Sequence, residues 1–277
     1  MDFNILQIDE ELYKVIQILT TNYNIECIYL SEYQKSKNQR DLILLVSNKY
    51  LNYIGELTPK MVNSIKNYEN YRIKCYVAFQ AKEKIKRGSL FLFRSCQQNR
   101  LVFQRQDSAF CPIPEDFDAA KCFEKHRQFQ EREFQKVIEF RDGYFHFKAK
   151  SQYSMAAFMI HQVLEQTYRN LEIILVGKDK LSHSIRCHNS TIYEIYPSYD
   201  AIFDPDNNED EKLLKILEDI YRATRYEDNF SISLKSLERI ELKMEALKEL
   251  FQNICIRFTT DFSETYLLKN ESKETVI

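Results

Sequence analysis

The stretch AAFMIHQVLEQTYRN, residues 156–170, decides how the second half of the chain reads. It is apolar and helix-forming, yet it carries His161, Glu165 and Tyr168 at i, i+4 and i+7. On a helix these spacings put the three side chains in one stripe. Such a stripe is either a site, with imidazole and phenol stacking on or hydrogen-bonding a base, or a buried His–Glu pair that satisfies itself locally and fixes the helix register. Zinc would need a third ligand, for which His183 is the candidate. No H-E-x-x-H pattern accompanies it, so no metal is expected.

Working outward, Ser151 as cap and Gly177 as a left-handed C-terminal residue bound this helix. Before it, FDAAKCFEKHRQFQEREFQKVIEF (117–140) predicts a helix with Asp116 as its N-cap. After it, NNEDEKLLKILEDIYRATRY (207–226) has acids in its first turn and arginines in its last, as the helix dipole prefers. SISLKSLERIELKMEALKELFQNICIRF (231–258) has Ser233 as cap and Leu237, Ile240, Met244, Leu247, Phe251 and Ile254 as its apolar stripe. Four helices of this length predict an antiparallel bundle. Residues 178–208 read equally well as helix or loop, and the tail from 263 to 277 reads as frayed.

The first hundred residues alternate instead. A helix over IDEELYKVIQILTTNY (8–23) is followed by the short apolar runs IECIYL (25–30) and DLILLVS (41–47), then by a helix near 57–68. RIKCYVAF (72–79) reads as a strand, AKEKIKRGSLFLFRSC (81–96) as one helix and RLVFQR (100–105) as a last strand. Strands interleaved with helices predict a small α/β domain with a mixed sheet. DSAFCPIPEDFD (107–118), with two prolines, breaks the pattern. The expected organisation is α+β and multidomain: an α/β domain over 1–110, an all-α antiparallel four-helix bundle over 111–262 and a tail.

Composition narrows the class. Of the 277 residues 44% are hydrophobic, and only 4 are Gly and 5 Pro, which favours long helices over an all-β fold. No apolar run is long enough to span a bilayer, and the acidic start MDFNILQIDEELYK lacks the layout of a signal peptide. The 7 cysteines are scattered without a C-x-x-C pair, as expected of reduced thiols in a cytoplasm. Residues 1–110 hold 16 Lys/Arg against 11 Asp/Glu, although the whole chain has a net charge of −2. A basic half beside an acidic one fits a nucleic-acid surface or two halves that dock on each other. Lys82, Lys84, Lys86, Arg87 and Arg94, mixed with Phe91 and Phe93, could line a nucleic-acid track; the alternative is a solvated helix face over core phenylalanines.

AAFMIHQVLEQTYRNLEIILVG, then LSHSI, then LLKILEDIYRATRYEDNFSIS resemble, in order and spacing, the HEPN family of small helical bundles, in particular the group found in Bacteroidetes-type bacteria. That group has an A-x-F-x-x-H-Q-x-x-E helix, a short His-containing loop and a later helix ending in a Y-x-x-A-R-Y-like sequence. Here the ending is Tyr221-Arg222-Ala223-Thr224-Arg225-Tyr226, with Thr224 where the family usually has Ala. The resemblance covers about 117–258 and implies a homodimer through the bundle.

HEPN domains commonly accompany minimal nucleotidyltransferase domains, which the first half resembles. Such a domain needs a Gly-Ser turn after its first strand, an Asp-x-Asp on the next and a third acid, to hold Mg²⁺ and a nucleotide triphosphate. Here the turn keeps Ser31 without Gly, the pair keeps Asp41 with Ile43 as its second member, and RIKCYVAF has no acid. The resemblance therefore implies a degenerate, non-catalytic domain without a Mg²⁺ cofactor. Many HEPN proteins resemble metal-independent ribonucleases with an Arg-x(4–6)-His motif, and Arg141–His146 is the match here. The bland alternative is a turn at a helix end with a surface histidine.

Arg222, Arg225 and Tyr226 are the stronger binding candidates, because paired guanidinium forks suit phosphate, although neighbouring carboxylates could equally pair with them. With His161, Glu165, Tyr168 and His183 they define the expected ligand site. The expected function is a non-catalytic nucleotide- or RNA-binding regulatory protein. The alternatives are a ribonuclease of toxin or defence type, using Arg141–His146 or Arg225 with His183 across a dimer, and a partner-binding scaffold.

Overall fold

A computed structural model describes residues 9–31, 39–196, 201–226 and 230–268, with 224–226 described in backbone alone. The chain is α+β and divides into two compact units, Met1–His126 and Arg127–Ile277.

The first unit is built on a four-stranded mixed sheet of order β3-β2-β1-β4. Its elements are α1 (Glu10–Asn22), β1 (Ile25–Ser31), β2 (Arg40–Val46), α2 (Ile54–Ser64), β3 (Tyr71–Val77), α3 (Ala78–Lys86), α4 (Leu90–Ser95) and β4 (Leu101–Gln104). β1 pairs antiparallel with β2 and β4, whereas β2 and β3 run parallel across the α2 crossover. β1 and β2 are buried along nearly their whole length, as strands covered on both faces must be. One face packs Ile28, Leu42, Leu44 and Val46 against Leu12, Val15, Ile16 and Leu19 of α1 and Met61 of α2. The pleat turns Tyr29, Ile43, Leu45 and Tyr76 the other way, and Tyr76 meets Phe91 of α4.

One expectation fails here for a backbone reason. The single helix over 81–96 is two, because Gly88 turns left-handed (φ +99°) between α3 and α4. A Cβ at Gly88 would lie 2.6 Å from the backbone nitrogen of His126, so only glycine permits that approach. Phe91 and Phe93 are buried, so of the two readings of this segment the one with core phenylalanines holds.

The second unit consists of most of α5 (Ala119–Ala149), with α6 (Tyr153–Val176), α7 (Ile185–Ile195), α8 (Asn208–Tyr226) and α9 (Leu234–Phe262). α6 is central: it packs against α7, α8 and α9 and is buried nearly all round. The stripe on α9 is buried as its spacing predicts, and Ser233 caps it by accepting the Ser236 N–H at 3.1 Å. Gly177 closes α6 in the left-handed region, also as expected.

Several local readings are corrected. Asp118, not Asp116, caps α5, accepting the Lys121 N–H at 2.8 Å. Ser151 is not a cap but the left-handed residue (φ 59°) of the reversal between α5 and α6. Its N–H bonds the Lys148 carbonyl and that of Gln152 the Phe147 carbonyl, the paired bonds of a Schellman ending. α7, capped by Ser184, makes the described helices of this unit five rather than four. Past Phe262 the chain does not fray at once but makes one π-helical turn, Ser263–Leu267.

Candidate functional site

The polar residues of α6 are buried because the helix is central, and each therefore needs a partner from another element. Two carboxylates organise them. Glu165 and Glu172 stand two turns apart on one face, 1% and 0% exposed.

Glu165 pairs with His183, whose Nδ1 lies 3.0 and 3.2 Å from its two oxygens. His183 sits on the connection after Gly177, and three bonds pin that connection to α6 and α7. Arg169 grips Asp179 (2.8 Å from Nε), the Lys180 N–H donates to Glu172 (2.7 Å), and His188 Nε2 bonds the Ser182 carbonyl (2.9 Å). From α8, Tyr221 stacks on the His183 ring (centroids 4.3 Å) and on that of His161 (5.6 Å). Ser184 ties the same loop to α8 by donating to Glu218 at 2.8 Å. The imidazole of His183 is thus held between a carboxylate and a phenol ring while half its side chain stays exposed. With Nδ1 committed, Nε2 is the nitrogen left for an incoming group.

His161 does not form the expected hydrogen bond with Glu165. The closest approach is 3.9 Å, outside bonding distance, because Glu165 is occupied by His183. Its Nε2 is buried and has no partner in hydrogen-bonding geometry. Burial pushes the imidazole down to about 4, and the nearby His183 backbone favours the charged form too weakly to reverse this. His161 is therefore a neutral ring at physiological pH.

Tyr168 belongs to a second cluster. Its hydroxyl donates to Asn189 at 2.9 Å and its ring stacks on His188. His188 Nδ1 lies 2.8 Å from Glu172, with both side chains fully buried. Burial opposes the charge on His188, but the Glu172 hydrogen bond and field outweigh it and raise its pKa. The stripe of the sequence therefore splits between two His–Glu pairs, of which His183–Glu165 reaches solvent.

The remaining candidates are dispersed. Arg222 is exposed on α8, and the side chains of Arg225 and Tyr226 lie outside the described residues. α5 runs on through Arg141 and His146, so neither marks a helix end. Five residues apart, they point roughly 140° away from each other at about 100° per residue. Arg141 lines a crevice with Val137, Thr167 and Met244, whereas His146 is exposed beside Phe147. They are not brought together.

In the first unit Ser31 ends β1 directly opposite Asp41 on β2. Asp41 is 1% exposed and takes hydrogen bonds from Arg72 Nε (2.9 Å) and Lys74 Nζ (2.6 Å) of β3. Mg²⁺ needs several carboxylate oxygens, and here two cations engage the one carboxylate, so this donor set does not fit the metal. Among the described residues no group of three or more His, Cys, Asp and Glu side chains could hold a metal ion. No described helix is long and apolar enough to cross a membrane.

Glu172, His188, Asp179, Arg169 and Tyr221 were missed by the spacing argument. An acid in the apolar run NLEIILV, seven residues after Glu165, was the one signal available for the second pair. No family model matches the chain, and no curated protein matches it either.

Proposed function

We propose that the chain is a non-catalytic nucleotide- or RNA-binding regulatory protein, with a degenerate nucleotidyltransferase-like α/β unit followed by a HEPN-like helical unit. The carrying observation is the His183 ring, held by buried Glu165, stacked on Tyr221 and half exposed. A stacked, carboxylate-oriented imidazole presents one nitrogen and an aromatic edge to a ligand without needing to reorganise. Exposed Arg222 follows Tyr221 on the same helix and suits a phosphate. The engagement of Asp41 by Arg72 and Lys74 supports the absence of nucleotidyl transfer. Pairing of two copies through the helical unit and a cytoplasmic location belong to the same proposal.

The test is thermal unfolding against nucleoside mono-, di- and triphosphates and short RNAs. A stabilisation that rises with ligand, as mass action requires, and is lost in Glu165→Gln and Arg222→Ala supports the reading. No shift with any of these ligands refutes it.

A ribonuclease is the second reading, favoured by one observation: a carboxylate bonded to one nitrogen of a partly exposed imidazole is the arrangement of a general acid–base. RNA fragments produced by the wild type and abolished in His183→Ala would replace the first reading with this one.

A further inference from the structure

A separate cleft in the first unit has no part in the reading above. It has a volume of about 350 Å³ and lies where the end of α1, the start of β1, the 48–50 turn and the end of β4 meet. That volume falls in the range of small-molecule sites. We propose that it takes a planar heterocycle with adjacent hydrogen-bond donors and acceptors, of the nucleobase class, presented as a nucleoside.

The walls are fixed by their own bonds. Arg105 donates to Asn24 (2.5 Å) and is ion-paired with Glu26 (3.1 Å) and Asp107 (2.7 Å). The Asn24 N–H in turn donates to the Tyr50 hydroxyl oxygen at 3.2 Å, which holds the tip of that ring in place. Tyr23, Tyr50 and Phe103 line the cleft half-buried, leaving aromatic surface available for stacking.

Charge and polarity select among ligands. The guanidinium of Arg105 is already met by two carboxylates. The negative end of α1 also faces this region, so a phosphate is disfavoured. Lys49 is exposed, lies over the Tyr50 ring at 5.0 Å and has no carboxylate partner among the described residues, so it remains available as a donor. The Thr21 hydroxyl adds a second donor and acceptor, and the C-terminal end of α1, beyond the Leu19 carbonyl that takes the Tyr23 N–H, supplies acceptors. Rings for stacking, donors from Lys49 and acceptors from a helix end match a base edge, which carries both polarities.

Lys49 and Thr21 are exposed and bear no part of the core, so Lys49→Ala and Thr21→Val leave the fold intact. Saturation-transfer NMR and thermal unfolding of the full chain with adenosine, guanosine, cytidine and uridine, beside ribose 5-phosphate and inorganic phosphate, read the proposal. The expected result is binding of at least one nucleoside, weakened roughly tenfold by Lys49→Ala, the scale of one charge-assisted hydrogen bond. Three results overturn it: no nucleoside binding, nucleoside binding with wild-type affinity in both variants, or ribose 5-phosphate binding that Lys49→Ala weakens as much as it weakens nucleoside binding. Glu165→Gln and Arg222→Ala leave this cleft intact, so binding they abolish belongs to the site at His183 and binding they spare belongs to the cleft.

Discussion

Lowering the pH from 7 to 5 should destabilise the wild type by about 2 kcal/mol more than a His161→Phe variant. The magnitude follows from burial. The unfolded imidazole titrates at about 6.5, whereas burial holds folded His161 down to about 4. Between these values the unfolded chain binds more protons than the folded one. A depressed folded pKa means that the contribution is fully present above about 6.5 and is lost as pH falls toward 4. Of the full loss of about 3 kcal/mol, about 2 falls between pH 7 and 5. Phenylalanine keeps a ring to stack on Tyr221 and removes the proton-binding nitrogen. The assay is urea unfolding followed by far-ultraviolet circular dichroism at both pH values. At an m-value of about 2 kcal/mol/M, the wild-type midpoint should drop by about 1 M more than that of the variant. His126, also pushed down to about 4 by burial, is common to both proteins and cancels in the difference. Equal drops in the two proteins would refute the account of His161 as a buried neutral ring.

The other expectations follow from geometry already described. Ser151→Gly should stabilise by up to about 1 kcal/mol, because glycine adopts the left-handed conformation at φ 59° without a Cβ penalty, offset in part by its unfolded-state entropy; an unchanged or lower urea midpoint would count against it. Gly88→Ala should cost about 2–4 kcal/mol from the left-handed backbone and the 2.6 Å approach to His126, read as loss of thermal stability or of soluble expression. His188→Ala should cost about 3–5 kcal/mol by leaving the buried Glu172 with the Lys180 N–H but no cationic partner, and Glu172→Leu combined with His188→Leu should recover much of that loss; a single-variant cost under about 1 kcal/mol would show that the pair is not buried as described. His188 itself, with a raised folded pKa, should lose its stabilising contribution as pH rises above about 6.5, opposite in sign to His161. Stability of His188→Phe that varies with alkaline pH as the wild type does would contradict this.

How much of this was legible depended on whether a residue's environment came from its neighbours in sequence. α9 was readable because one side of it is apolar at helical spacing and one side meets the core. β1 and β2 were readable because unbroken apolar runs are what two covered faces require. α7 was not, because its inner face is largely His188, Asn189 and Thr191. Two of those are satisfied from elsewhere: His188 by Glu172, and Asn189 by Tyr168 and the Phe203 backbone. Ser151 misled because serine at a helix start usually caps, whereas a short reversal between two long helices needs a left-handed residue. Arg141–His146 misled because five residues along a continuous helix separate side chains that a turn could have gathered.

The pairing of Glu165 carries the same lesson into the site. Spacing alone gives it to His161, one turn away; the fold gives it to His183, eighteen residues away. The consequence is visible by comparing two histidines whose side chains are both 0% exposed. His188 has a carboxylate at 2.8 Å and its pKa rises; His161 has one at 3.9 Å and its pKa falls. At His161 burial prevails, whereas at His188 the Glu172 hydrogen bond and field outweigh it. Glu165 is unavailable to His161 because Arg169–Asp179, Glu172–Lys180 and His188–Ser182 hold the connecting loop where His183 reaches the carboxylate first. The neutral His161, with no carboxylate in bonding distance, is thus a product of the loop that presents His183 to solvent, and the inner pair Glu172–His188 belongs to the site as the anchor of that loop.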